Sequence, residues 1–74
     1  MTVQEAVDSA ADHSEIIGRR YSFRGQTWIV QRLLIAYQGN NVYELDVSLQ
    51  YPPVKGIELR ERVSVFLAEA QQLP

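Results

Sequence analysis

Between Val42 and Gln50 the chain alternates without a break: Tyr43, Leu45, Val47 and Leu49 fall on one side, Glu44, Asp46, Ser48 and Gln50 on the other. A period of two is the strand period, so this segment predicts a β-strand with one face in the core and one in water. Gly18 to Phe23 repeats the pattern over a shorter span, with Tyr21 and Phe23 on one face and Arg20 and Ser22 on the other. Arg24-Gly25 then reads as a turn, because Gly25 tolerates the positive φ of a tight hairpin and the β-rich Thr27 to Val30 follows at once. A two-residue loop there sets Tyr21 opposite Trp28 and gathers Tyr21, Phe23 and Trp28 on one side of the sheet.

Trp28 to Gln38 carries both periods. Val30, Leu33, Leu34 and Tyr37 fit one face of a helix capped by Gly39, whereas Trp28, Ile29, Val30, Ile35 and Tyr37 are the β-branched and aromatic residues that strands prefer. A turn signal at each end favours the strand, and apolar residues on both faces from Leu33 to Tyr37 predict a central strand covered on both sides. The Gly39 to Asn41 connection decides which face joins the core. A two-residue loop sets Val30, Leu34 and Ala36 beside Leu49, Leu45 and Tyr43; a three-residue loop sets Leu33, Ile35 and Tyr37 beside Val47, Leu45 and Tyr43. The second set is richer, but the first hairpin favours the face of Trp28 and Val30, so a β-bulge near Gln31-Arg32 reconciles the two.

Both ends of the chain have helical spacing. Thr2 stands three residues before Glu5, the capping-box interval, and Val3, Ala6, Val7, Ala10 and Ala11 form a thin apolar stripe. Residues 1–15 therefore predict a helix if they dock on the sheet and an acidic arm otherwise. Pro52-Pro53 ends the sheet, and Leu59, Val63, Phe66, Leu67 and Ala70 predict an amphipathic helix before Pro74. The fold class is α+β: an N-terminal helix or arm over 1–15, then a single small domain over 16–74 in which a three-stranded antiparallel β-meander carries a C-terminal helix.

Composition adds bounds to this picture. A 74-residue chain that is 46% hydrophobic and 22% charged is globular in profile, but it can build only a small core. With no cysteine, neither a disulfide nor a thiolate metal site can supplement that core; self-association can, and a homodimer is expected. No apolar run approaches the ~20 residues of a membrane span, and the first residues lack a signal-peptide pattern, so a soluble cytoplasmic protein without a membrane partner is expected. The net charge of −2 hides an asymmetry. Glu5, Asp8, Asp12 and Glu15 precede a stretch from 16 to 38 whose only charged residues are Arg19, Arg20, Arg24 and Arg32.

The catalytic inventory is thin: one histidine, no cysteine, and no serine in a nucleophile setting. His13 with Asp8 and Asp12 makes at most a weak oxygen-nitrogen metal site, and a solvated helix end accounts for the same residues. Glu44 and Asp46 share a strand face at about 7 Å, a spacing that suits paired carboxylates, with nothing in the sequence to desolvate them. No cofactor, metal or phosphate-cradling loop is spelled out. The expected function is that of a non-catalytic accessory or regulatory protein that binds another protein or itself, using Arg19, Arg20, Arg24, Arg32, Ile35 and Tyr37. The alternative is a single-stranded nucleic-acid-binding module, in which the arginines track phosphates and Tyr21, Phe23 and Trp28 stack on bases. Solvent exposure of those rings separates the two readings.

Overall fold

The computed structural model describes all 74 residues, Met1–Pro74. Helix α1 spans Val3–Asp12 and starts on the capping box: Glu5 N donates to Thr2 Oγ1 at 3.1 Å, and Thr2 N donates to Glu5 Oε1 at 2.9 Å. A 3-10 turn, Ser14–Ile16, leads into strand β1, Arg20–Phe23. Then follow β2 (Gln26–Gly39), β3 (Val42–Gln50), β4 (Glu58–Arg62), helix α2 (Val63–Glu69) and β5 (Gln71–Gln72). All neighbouring strands are antiparallel, in the order β4-β3-β2-β1-β5.

Both hairpin turns place two residues in the left-handed region, Arg24 and Gly25 at φ 50 and 79°, Asn40 and Asn41 at 52 and 59°. This conformation matches the right-handed twist of the flanking strands. Tyr21 pairs with Trp28, as the two-residue Arg24-Gly25 turn predicts. The bulge falls where the two hairpins require it, with Gln31 as the extra residue between Val30 and Arg32. Beyond it Leu33, Ile35 and Tyr37 oppose Val47, Leu45 and Tyr43. A second irregularity at Gln38 lets the tight Asn40-Asn41 turn keep the register predicted for a longer loop.

The sheet has five strands rather than three. Glu58–Arg62, which the spacing of Leu59 and Val63 assigned to a helix, is β4. The free side of β3 supplies the physical reason, because it offers ladder hydrogen bonds to five residues and carboxylates to two arginines. Arg60 Nε lies 2.9 Å from Asp46 Oδ2 and Arg62 lies 3.1 Å from Glu44 Oε1. Helix α2 is consequently only seven residues long. After it, β5 returns to β1 through the pairs Tyr21-Gln72 and Ser22-Gln71.

Both helices pack on one face, so β2 is covered on one side and not on two. Leu45, Val47 and Leu49 of β3 meet Val30, Tyr21 and Phe23 from the neighbouring strands and Val63 and Phe66 from α2. The Phe66 ring lies 5.0 Å from Tyr21 and 5.3 Å from Phe23, centroid to centroid. Ala6 is fully buried and Ala10 packs against the same core, which docks α1 as a helix.

Candidate interaction surface

The four arginines of the first hairpin region separate. Arg24, at the turn, reaches Glu61 of β4 at 3.0 Å and Glu69 of α2 at 3.5 Å, with its guanidinium 4.6 Å from the Phe23 ring centre. Arg19 Nε donates to the Glu15 carbonyl at 2.7 Å. Arg20 and Arg32 are exposed on the outer face and form no ion pair. The acidic side chains of the first fifteen residues do not compete for any of them, because the turn points toward β4 and α2 instead.

The rings are equally divided. Tyr21 is 6% exposed and Phe23 1%, both in the core. Trp28 is half-buried; its Nε1 donates to the Phe23 carbonyl at 3.2 Å and its ring packs on Tyr51 at 5.5 Å. These side chains hold the sheet and present no stacking platform to bases. Tyr37 is the open aromatic, 60% exposed and 5.2 Å from the Tyr43 ring.

The two sites named in the sequence that do come together, Ile35 and Tyr37, lie on a strand edge. β1 covers only the first part of the much longer β2, and its pairing ends where Gly18 N donates to Val30 O and Val30 N to Arg19 O, at 2.8 and 3.0 Å. Past Val30, β2 has β3 on one side and no strand on the other. The direction of its backbone groups follows from Tyr43. Tyr43 N donates to Met1 O at 2.7 Å and Tyr43 O accepts from Met1 N at 2.9 Å, so both groups point away from β2. Its opposite residue Tyr37 is therefore in a non-hydrogen-bonded pair, and alternation makes Ile35-Leu45 and Leu33-Val47 pairs of the same kind. The N–H and C=O groups of Leu33, Ile35 and Tyr37 face the open side.

Their side chains share the inner face with Val47 and Leu45; Leu33 packs against the core, whereas Ile35 is 40% and Tyr37 60% exposed. Helix α1 extends the apolar surface. Ala6 and Ala10 face the core, while Ser9 and the adjoining His13 flank the side shared with Val63 and Leu67 of α2. At 100° per residue, Val3 and Val7 fall on the flank of α1 opposite Ser9. They are 51% and 45% exposed. The sequence placed both valines in the thin apolar stripe of a docking helix; the structure buries Ala6 in that stripe and leaves the valines exposed.

The remaining polar candidates are engaged elsewhere. A shallow depression of about 210 Å³ between α1, β3 and α2 is lined by His13, Glu44, Ser9 and Ser64 among others. His13 Nδ1 donates to the Ser9 carbonyl at 2.8 Å, and Glu44 is ion-paired to Arg62 at 3.1 Å. Asp8 and Asp12 do not join His13, and no three His, Cys, Asp or Glu side chains converge to hold a metal ion. No helix is long and apolar enough to cross a membrane. Comparison with known proteins returns nothing: no family model, no curated protein and no solved structure matches the chain.

Proposed function

We propose that the chain is a non-catalytic interaction module, an accessory or regulatory protein that works by binding another protein or itself. The observation that carries this reading is the free edge of β2 at Leu33 to Tyr37, which bears the exposed side chains of Ile35 and Tyr37. Unpaired ladder groups beside apolar surface form a template for an added strand. Arg20 and Arg32 flank this region on the outer face, where they can contribute charge to a contact. The nucleic-acid reading is left with the unpaired cations Arg19, Arg20 and Arg32 and without the buried rings of Tyr21 and Phe23.

Selection of displayed extended peptides against the folded chain tests the surface. Binders are expected to be enriched and to lose contact with Ile35→Lys and Tyr37→Lys variants that remain folded. Binders indifferent to both substitutions would place the contact elsewhere and end this reading.

A further inference from the structure

Resting on that reading, we infer that the occupant of the β2 edge is the β2 edge of a second copy, paired antiparallel about a two-fold axis at Ile35. Apart from β3 at Val42–Leu45, where Met1 takes up both backbone groups of Tyr43, the sheet has three open stretches: β4, β5, and β2 beyond Val30. β4 presents Glu58, Arg60, Glu61 and Arg62 along five residues, and charges of this kind keep an edge from pairing. β5 is two residues long and followed closely by Pro74. The β2 stretch from Leu33 to Tyr37 carries no charge and no proline.

The register is fixed by the irregularities at Gln31 and Gln38, which bound the regular part of β2. A two-fold axis at Ile35 pairs Leu33 with Tyr37 and Ile35 with itself, so all three residues whose N–H and C=O face outward fall in hydrogen-bonded pairs. An axis at Leu34 sends Tyr37 against the bulged Gln31, and one at Ala36 sends Leu33 past Gln38 to Gly39; each keeps only two such pairs. The Ile35 axis also suits the side chains. Leu34 meets Ala36 on the outer face, and Arg32, the one charged residue nearby, meets the neutral Gln38 rather than a second cation.

The axis runs perpendicular to the sheet, so both copies keep their inner faces on the same side. The exposed side chains of Ile35 and Tyr37 in the two copies then cover each other across the new strand pair. The product is one continuous ten-stranded sheet, twice the five of a single chain. It extends a core of only ten buried hydrophobic residues in the single chain.

The chain has no cysteine, which makes a single introduced thiol an unambiguous reporter. In a hydrogen-bonded antiparallel pair the two Cα atoms stand about 5.5 Å apart, within disulfide reach. Sedimentation of the full chain is expected to give twice the 8.5 kDa mass at high concentration, and mild oxidation of Ile35→Cys to give a covalent dimer. Val54→Cys, exposed in the β3–β4 connection, is the control expected to stay uncrosslinked. A monomer at every concentration, with no crosslink in the Ile35→Cys variant, overturns the inference, and the peptide selection still decides whether the edge binds other proteins. A dimer in which Ile35→Cys does not crosslink, or crosslinks no better than Val54→Cys, also overturns it.

Discussion

Arg24 holds Glu61 at 3.0 Å, and this contact joins a hairpin turn to a strand with which neither arm of the hairpin pairs. The sheet is curled over its core, and one guanidinium spans the gap between β4 and the β1–β2 turn. Arg24 does so from φ 50°, a conformation unfavourable for a side-chain-bearing residue. Its ion pairs with Glu61 and Glu69 and its position beside the Phe23 ring offset that cost.

Two substitutions separate these effects. Arg24→Ala loses the contacts and keeps the backbone strain, and is expected to destabilise the fold by about 1 kcal/mol, the scale of exposed ion pairs plus a cation–π contact. Arg24→Gly loses the same contacts but relieves the strain. Urea midpoints should therefore rank wild type above Gly and Gly above Ala. Equal midpoints for Gly and Ala would show that the left-handed backbone carries no cost here.

Phe66 is the side chain on which α2 depends, since it is fully buried and touches both Tyr21 and Phe23. Phe66→Ala is expected to cost about 3–5 kcal/mol, comparable with the whole stability of a small domain, so that its thermal transition disappears. Phe66→Leu fills most of the site and should retain a cooperative transition at a lower midpoint. A cooperative melt for the alanine variant near the wild-type temperature would mean that α2 is not integral to the core.

The capping box gives a pH dependence with a definite sign. The backbone hydrogen bond from Thr2, with the Thr2 side chain adding to it, holds the Glu5 pKa below its ordinary 4.5. A folded pKa below the unfolded one means that the contribution is complete above about pH 4.5, where both states are ionised. As the pH falls below that value the unfolded chain takes up the proton first, and the contribution is lost by the time the folded pKa is passed. Thr2→Ala is expected to lower stability by about 1 kcal/mol near neutrality through the lost cap. It should flatten the Glu5 share of the acid limb only in part, because the backbone N–H of residue 2, the larger cause of the lowered pKa, still donates to Glu5 in the alanine variant. Thermal melts of both proteins across that limb check it, and parallel curves would show that the Thr2 hydroxyl adds nothing to the backbone hydrogen bond.

The first two hairpins were legible because their signals are local. Alternation around Tyr21, the positive-φ residues Gly25 and Asn40-Asn41, and the conflict of faces at Gln31 each reside within a few neighbouring residues. β4 was not legible, since Leu59 and Val63 satisfy a helical interval as well as Leu59 and Glu61 satisfy a strand one. What decides between them is the open side of β3, whose Glu44 and Asp46 look merely solvated in the sequence. The proposed contact surface was foreshadowed in part for a related reason. Ile35 and Tyr37 stood out as excess apolar residues, but their edge position depends on β1 stopping short of them, a difference in strand length that only assembly reveals.

Arg60 and Arg62 do more than pair with Asp46 and Glu44; they also place cations along an edge that would otherwise accept another strand. If β2 is the edge in use because β4 is guarded, removing the guard gives each chain two usable edges on opposite sides. Edges so disposed do not close into a dimer, and association becomes open-ended. An Arg60→Thr, Arg62→Thr chain keeps strand-forming side chains and is expected to scatter light increasingly with concentration, where the wild type levels off. Adding Ile35→Lys to that chain should remove one of its two edges and return it to a limited size. If the double threonine variant folds and its scattering stays at the wild-type plateau, charge is not what keeps β4 unpaired.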